Sequence, residues 1–239
     1  SACLVGSEMC IRDSYKSLGL SDEAAEREAM ADVKVDFEQG FQGWEYKFNS
    51  VSSSRGDYPF ITMTAGTGTG RFAKMASITM LDVRRKGQGK KNCKKPVLFP
   101  KIVFLYDENL HGPGKPLEDV FRAGVECSSK AMYPDWLSLT GDGYVASIYK
   151  KYGRIISPMG CRAFLSPWFE RGGMEPADEN DKPVFVGRFN IGAVSLNLPM
   201  IYAKAQQESR DFFEVLDYYL NLIRKIHIRT YDCLLYTSD

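Results

Sequence analysis

Between residues 157 and 168 the chain reads Ser157-Pro158-Met159-Gly160-Cys161-Arg162-Ala163-Phe164-Leu165-Ser166-Pro167-Trp168. The glycine beside the cysteine allows backbone conformations that a side chain forbids, and the prolines restrict φ on either side. The stretch therefore predicts a short, stiff loop that presents one sulfur atom. Apolar residues precede and follow it, so we expect the loop to enter a core: Ile155, Ile156, Phe164, Leu165 and Trp168. On these residues alone, a buried structural cysteine is the simpler interpretation.

Four segments, in the same order along the chain, resemble the anaerobic (class III) ribonucleoside-triphosphate reductases. The Met-Gly-Cys-Arg run at residues 159–162 resembles the loop that carries the thiyl-radical cysteine of that family. Residues 51–60 resemble a segment from the first part of the family's barrel, and residues 99–104 resemble a barrel strand. Residues 187–199 resemble the segment that follows the cysteine loop. Together these similarities cover most of residues 15–232.

The resemblance implies an α/β fold, namely part of the ten-stranded α/β barrel of the glycyl-radical enzyme and ribonucleotide reductase type, with flanking helices. The pattern of the residues independently favours this class, because helical periodicity alternates with strand-like runs, as in parallel α/β proteins. Residues 96–106 form a nearly continuous apolar run, which is typical of a strand covered on both faces.

Other elements follow from periodicity and capping. Ser21 is a good N-cap, with Asp22 and Glu23 in the first turn, for a helix that extends towards residue 48. Further predictions are strands at 58–64 and 183–198, the latter ended by Pro199, and helices at 71–83, 117–125 and 201–228.

The resemblance also implies site residues. Cys161 would carry the thiyl radical, Met159 would pack beside it, and Asn190 would face the substrate ribose. An amide both donates and accepts hydrogen bonds, which suits a sugar hydroxyl or a small carboxylate; Asn197 is the structural alternative. Substrate-binding roles are implied for a set of loop residues: Ser53, Ser54, Arg55, Gly160 and Arg162.

The function implied is reduction of ribonucleoside triphosphates to deoxyribonucleoside triphosphates for DNA synthesis, with ATP binding in the complete protein. The family uses a glycyl radical, a formate or thiol reductant, and a zinc site in its C-terminal part. A separate S-adenosylmethionine iron–sulfur enzyme installs the radical, and the family usually forms homodimers. None of the glycyl-radical, zinc or ATP-cone segments matches this chain, so we expect the chain alone to bind none of these groups and to be inactive. The reductant stays open.

The two ends of the chain differ from the rest. Residues 1–14 and 233–239 resemble translated linker or adapter sequence, of the kind found in environmental gene fragments, and nothing in the family resembles them. We therefore expect residues 15–232 to be a fragment of the catalytic barrel.

Composition excludes several other classes. The balance of 31 basic and 30 acidic residues argues against nucleic acid or an anionic membrane as partner, and no apolar run approaches the roughly 18–20 residues of a membrane span. Six cysteines without a close C-x-x-C pair favour a reducing cytoplasm. Two histidines and scattered cysteines make no zinc site; His111 is interpreted as a surface residue and His227 as a packed or capping one. The basic run 84–95 is interpreted as a solvated loop.

The residues alone leave three alternative interpretations of the function open. A non-catalytic nucleotide-binding or regulatory α/β module would use the loop Gly66-Thr67-Gly68-Thr69-Gly70, although this lacks P-loop and Rossmann spacing and is more simply a strand-to-helix connection. Another glycyl-radical enzyme, similar to pyruvate formate-lyase, is disfavoured because that family places two adjacent cysteines in its loop, whereas Arg162 follows Cys161. The third is a structural α/β domain in which Cys161 only packs.

Overall fold

The computed structural model describes residues 2–50, 61–159, 164–168, 174–186, 192 and 194–236. The chain divides into two compact units, Ser1–Phe185 and Val186–Asp239. The first unit contains, in chain order, α1 (Ala2–Ser17), α2 (Asp22–Ser50), β1 (Thr62–Ala65), α3 (Arg71–Lys86), β2 (Gln88–Lys90), β3 (Cys93–Lys95), β4 (Lys101–Tyr106), α4 (Glu118–Ala131), β5 (Asp135–Ser138) and α5 (Tyr144–Tyr152). The second unit contains α6 (Leu198–Glu208) and α7 (Phe212–Tyr236).

A parallel sheet lies at the centre of the first unit. Its strand order is β1-β4-β5, with Thr62 opposite Lys101 and Val103 opposite Asp135. The strands are joined by α3 and α4, so the predicted α/β class with parallel strands is confirmed.

The central strand β4 is buried on both faces. On one face Ile102 and Phe104 pack into a core with residues of α3 and α4: Met80, Leu81, Val120 and Cys127. On the opposite face Val103 and Leu105 pack with Leu139, which follows β5. Full burial of such a side chain contributes roughly 1.5–3 kcal/mol, so β4 carries much of the apolar stabilisation, as its near-continuous apolar sequence predicted.

The start of α2 and the position of α3 agree with the sequence predictions. The backbone N–H of Ala24 donates to Ser21 Oγ at 3.3 Å, and α2 begins at Asp22. Helix α3 covers the predicted helix at 71–83 and continues to Lys86. None of the helices in the described ranges is both long and apolar enough for a membrane span.

The N-terminal residues 2–17 are helical, and Tyr15 Oη donates to Asp32 Oδ2 of α2 at 2.8 Å. The assignment of residues 1–14 and 233–239 to linker sequence stays a prediction.

The interpretation of residues 84–95 as a solvated loop was wrong in two respects. Arg84 is fully buried in α3, and residues 88–95 form the antiparallel hairpin β2–β3. The hairpin is tight because Gly87 (φ +71°) and Gly89 (φ +128°) lack side chains: a Cβ would lie 2.5 Å from Lys95 O at the first and 2.7 Å from Cys93 O at the second. The four lysines of the hairpin are exposed, as expected.

The predicted strand 183–198 and long helix 201–228 were also wrong. The described residues of 183–197 form no strand, and α6 begins at Leu198 because Asn197 Oδ1 caps it by accepting from Met200 N at 3.1 Å, with Pro199 in the first turn. Helix α6 ends at Glu208, and its C-cap residue Ser209 is left-handed with φ 53°. A new helix then begins, because Asp211 Oδ1 accepts from Phe213 N at 2.9 Å.

Substitution at Gly66 tests the carboxyl end of β1. Gly66 has φ +126°, and a Cβ there would lie 2.9 Å from Leu105 O. We expect Gly66→Ala to destabilise the sheet by about 2 kcal/mol, measured as faster hydrogen exchange of β1 and β4 amides. Gly40 in α2 is the matched control, because its Cβ would meet nothing within 4 Å. Gly40→Ala should instead stabilise α2 by about 0.5–1 kcal/mol; equal effects of the two changes would contradict this account.

Candidate functional site

The cysteine loop comprises residues 157–167, of which 157–159 and 164–167 are described, and the residues that flank it pack in apolar clusters. Helix α5 ends at Tyr152, and its C-cap residue Gly153 adopts φ 62° and donates its N–H to Tyr149 O at 2.8 Å. After this turn, Ile155 packs against the cluster of Val103, Leu105 and Leu139. Ile156, which is 5% exposed, packs in a second cluster with Ile148 and Trp168. Ile155 therefore lies against the sheet face opposite α3 and α4, and Ile156 lies against α5.

The loop returns to the same place. Trp168 is 5% exposed and packs with Ile156, so the first and last residues flanking the loop share one apolar cluster. Trp168 N donates to Ser166 Oγ at 3.1 Å. The predicted burial is therefore confirmed for Ile156 and Trp168, the residues that flank the loop. Phe164, which we also expected to be buried, is 49% exposed, because only the residues at the base of the loop reach the cluster.

A segment after the loop closes over this base. The carbonyl oxygen of Met174 accepts hydrogen bonds from Trp168 Nε1 at 3.0 Å and from Tyr144 Oη at 2.9 Å. Val184 N donates to Pro167 O at 2.7 Å, and the Phe185 ring lies 6.0 Å from the Tyr152 ring. No apolar pattern in the sequence indicated these contacts, because residues 170–182 are polar and glycine-rich.

Of the predicted site residues, only Met159 lies in the described ranges, where it is half-buried. The others lie outside the described residues: Ser53, Ser54, Arg55, Gly160, Cys161, Arg162 and Asn190. Their roles therefore stay predictions. Asn197, the structural alternative to Asn190, caps α6.

His111 lies at the carboxyl end of the sheet and is buried, so its interpretation as a surface residue was wrong. It is 2% exposed; its Nδ1 accepts from Asp107 N at 3.0 Å and its Nε2 contacts Gly66 O at 2.9 Å. Because a carbonyl oxygen only accepts, Nε2 is the donor to Gly66 O, whereas Nδ1 lies 3.0 Å from both Asp107 N and Asp107 O. Asp107 O also accepts from Leu110 N and His111 N, so a single turn brings the ring back over the ends of β1 and β4. The four-residue spacing of Asp107 and His111 was the only sequence signal.

The glycines of residues 66–70 have a packing explanation. A Cβ at Gly66 would approach the backbone of Leu105, and a Cβ at Gly68 would lie 2.6 Å from Ala73 Cβ. The loop connects β1 to α3, as the simpler interpretation predicted.

No group of three or more His, Cys, Asp or Glu side chains in the described part of the chain is arranged to hold a metal ion. Cys127 of α4 is fully buried and packs in the core, and burial raises the pKa of its thiol to about 11. The raised pKa means that the folded protein favours the neutral Cys127 thiol. The contribution of this buried thiol to the free energy of unfolding is therefore fully present below the pKa that the thiol has in the unfolded chain, and it is lost as pH rises towards 11. Cys93, by contrast, is exposed on β3.

Comparison with known proteins gives one consistent result. The sequence profile of the family described as anaerobic ribonucleoside-triphosphate reductase matches residues 20–238, beyond residue 232, where we expected the similarity to stop. The chain belongs to the anaerobic ribonucleoside-triphosphate reductase family. The cysteine loop and its base lie inside the matched range.

Individual members of the anaerobic ribonucleoside-triphosphate reductase family agree. The enzyme of Salmonella typhimurium is 35% identical over 202 residues, covering 84% of this chain and 26% of the relative. That of Escherichia coli is 36% identical over 186 residues, covering 77% of this chain and 24% of the relative. That of Enterobacteria phage T4 is 35% identical over 200 residues, covering 81% of this chain and 31% of the relative. The chain thus spans between a quarter and a third of the length of the curated relatives it matches.

Proposed function

We propose that the complete protein reduces ribonucleoside triphosphates to deoxyribonucleoside triphosphates by radical chemistry, with Cys161 as the residue that exchanges hydrogen with the substrate. Family membership supports the reaction class. The placement of the loop supports the residue: Ile155, which precedes the loop, packs on the sheet face opposite the crossover helices α3 and α4, and Ile156 and Trp168, which flank the loop, pack together with Ile148 of α5.

In an α/β barrel the helices form the outer layer, so the strand face opposite the helices turns towards the barrel interior. We propose that β1, β4 and β5 belong to the ten-stranded barrel of the family and that the cysteine loop enters its interior. Apolar side chains at the outer edge of the described sheet support continuation of the barrel there, since Trp136 on β5 is 40% exposed and Val125 on α4 is 46% exposed.

The main contribution of the protein to this chemistry is to position the reacting groups and to exclude water. A thiyl radical at Cys161 takes the 3′-hydrogen of the ribose, which forms an S–H bond and leaves the unpaired electron on C3′. The weakened C2′–O bond then breaks, and the 2′-hydroxyl leaves with a proton as water. Two electrons from the reductant, together with two protons from the reductant and solvent, form the new C2′–H bond and restore the 3′-hydroxyl, and Cys161 returns its hydrogen to C3′. If formate is the reductant, it leaves as carbon dioxide; a thiol reductant would become a disulfide.

Other residues have proposed supporting roles. Met159 would pack beside the sulfur, Gly160 and Arg162 would shape the loop, and Asn190 would hydrogen-bond the ribose. Ser53, Ser54 and Arg55 would contact polar or phosphate groups of the substrate. The glycyl radical would supply the oxidising equivalent. No zinc site is proposed among the described residues, because they offer no suitable ligand group.

The test uses the complete protein, produced from its full reading frame and activated without oxygen by its S-adenosylmethionine iron–sulfur enzyme. With a ribonucleoside triphosphate and either formate or a dithiol, we expect the corresponding deoxyribonucleoside triphosphate, and no product when activation is omitted. The reductant that supports turnover identifies the reductant class. Cleavage of pyruvate without nucleotide reduction would overturn the proposal in favour of a formate-lyase-like enzyme. The 239-residue chain alone is expected to give no product.

A further inference from the structure

We propose that the β2–β3 hairpin is a docking surface for an acidic segment of another polypeptide chain, whose carboxylates pair with lysine side chains of the hairpin. We name four residues the hairpin lysines: Lys90, Lys91, Lys94 and Lys95. The inference goes beyond the proposed reaction, and its test requires neither activation nor turnover.

The hairpin lysines carry positive charge that no neighbouring carboxylate neutralises. All four side chains are exposed, and none of them has an ion pair with another residue in the described part of the chain. The basic residues of the preceding helix differ, because Arg85 and Lys86 both pair with Asp82. The sequence explains the contrast, since no acidic residue occurs between Asp82 and Asp107. The hairpin is therefore a local concentration of positive charge in a chain whose net charge is +1.

The strand register determines how this charge is displayed. It places each strand lysine opposite a neutral residue: Lys90 opposite Cys93, Lys94 opposite Gly89, and Lys95 opposite Gln88. Like charges directly opposite each other would destabilise the pairing of the strands, and this register avoids them. Because successive side chains of a strand point to opposite faces, Lys90 and Lys95 share one face and Lys94 lies on the other. A partner at the tip of the hairpin therefore meets ammonium groups on both faces.

The hairpin is fixed at its base to the first unit. Gln88 Nε2 donates to Glu45 Oε2 at 3.2 Å and to Gln42 O at 3.3 Å, and both acceptors belong to α2. Glu45 is in turn paired with the buried guanidinium of Arg84. A surface whose backbone is fixed before binding loses less conformational entropy on binding than a mobile loop does. The hairpin lysines thus stand on a preformed support.

The composition of the hairpin favours an acidic polypeptide over a nucleic acid as the partner. Surfaces that bind single-stranded nucleic acid combine a basic groove with aromatic side chains on which bases stack. No aromatic residue occurs between residues 84 and 98, and the whole chain has 31 basic and 30 acidic residues, so the basic surface is small and lacks stacking groups. Carboxylates of a short acidic segment match such a surface, and complementary charges orient a partner as it approaches.

The experiment measures binding of a fluorescein-labelled oligo-glutamate peptide to the complete, unactivated protein by fluorescence anisotropy. When all four hairpin lysines are changed to glutamine, we expect the affinity to fall about 10- to 100-fold, which is the combined effect of losing four exposed ion pairs. Binding to the unsubstituted protein should weaken as the salt concentration rises, because salt screens exposed charges.

The matched control removes the same net charge from positions that are dispersed over the fold. It changes four other exposed lysines to glutamine, on α2, the loop after β4, α4 and α5: Lys34, Lys115, Lys130 and Lys150. Its affinity for the peptide should stay within about twofold of the unsubstituted protein, because charges farther apart than the screening length contribute little to one binding site.

Four results would overturn the proposal. Equal losses of affinity in the two variants would show that the peptide responds only to net charge. If the unsubstituted protein does not bind the peptide, the role left for the lysines is to prevent pairing of the exposed strand edges with other strands. Tighter binding of a single-stranded oligodeoxynucleotide, lost in the hairpin variant, would assign the surface to nucleic acid. A change of oligomeric state in the hairpin variant, measured by analytical ultracentrifugation, would assign it to a second copy of the protein.

Discussion

The Cys161→Ser variant of the complete, activated enzyme is expected to form no detectable deoxyribonucleotide, a fall of at least about 10³-fold, on the scale seen when a residue that carries the covalent chemistry of an enzyme is removed. The hydroxyl of serine has nearly the size of the thiol, but its O–H bond is much stronger than the S–H bond. Serine therefore cannot be converted to a radical by the same donor, nor exchange hydrogen reversibly with C3′. The measurement is the rate of deoxyribonucleoside triphosphate formation without oxygen.

Two controls separate lost chemistry from lost structure. Substrate affinity, measured by equilibrium binding of the ribonucleoside triphosphate, should be within a factor of about two of the unsubstituted protein, because the substitution removes no binding group. Cys93→Ser makes the same chemical change at an exposed cysteine of the β2–β3 hairpin and should leave turnover unchanged. Turnover by Cys161→Ser at a rate close to that of Cys93→Ser would exclude Cys161 as the hydrogen-exchanging residue.

The sequence predicted best those parts of the fold that depend on local pattern. The apolar run ending at Tyr106 predicted β4, and the cap at Ser21 predicted the start of α2, because burial on two faces and a hydroxyl cap leave a signature in neighbouring residues. The loop base was predicted in the same way from Ile156 and Trp168. Cys161 was predicted to be a site residue because the residues around it resemble the family motif. The composition of the loop alone did not indicate that role.

Contacts between residues that are far apart in the sequence were not predicted, because the residues around one partner do not indicate the other. Arg84 begins a basic run and was interpreted as solvated, but Glu45, on a different helix, neutralises it. His111 was interpreted as exposed because its loop is rich in turn-forming residues, yet Gly66 O, at the end of another strand, provides its partner. The carbonyl of Met174 could not have been identified at all, since a backbone acceptor has no sequence signature.

The buried pair of Arg84 and Glu45 carries the second large effect that we expect. The two side chains are 0% and 2% exposed, and Arg84 Nε donates to Glu45 Oε1 at 2.5 Å. Arg84 Nη2 also donates to Pro100 O, just before β4, at 2.9 Å, and Gln88 Nε2 donates to Glu45 Oε2 at 3.2 Å. The pair thus connects α2, α3, the start of β4 and the hairpin at the amino end of the sheet.

Arg84→Met should destabilise this part of the protein by about 3–5 kcal/mol, because it leaves the Glu45 carboxylate buried without a counter-charge. The measurement is native-state hydrogen exchange of α3 and β4 amides in the complete protein, which reports local opening without requiring two-state unfolding of a large chain. The expected result is exchange faster by on the order of 10²- to 10⁴-fold. The control is Arg122→Met on α4, where the ion pair with Glu118 is largely exposed and its loss should cost less than about 1 kcal/mol.

A double variant distinguishes the net contribution of the ion pair to stability from the destabilisation caused by leaving one buried charge unpaired. Arg84→Met combined with Glu45→Leu removes both charges and leaves apolar side chains of similar volume, and such replacements are often neutral or stabilising. Exchange in the double variant should therefore return to within about tenfold of the unsubstituted protein. If the double variant is as unstable as Arg84→Met alone, then the charge left on Glu45 is not the cause, and the loss arises instead from the hydrogen bond to Pro100 O and the contact of the guanidinium with the Tyr133 ring, 5.1 Å from its centroid.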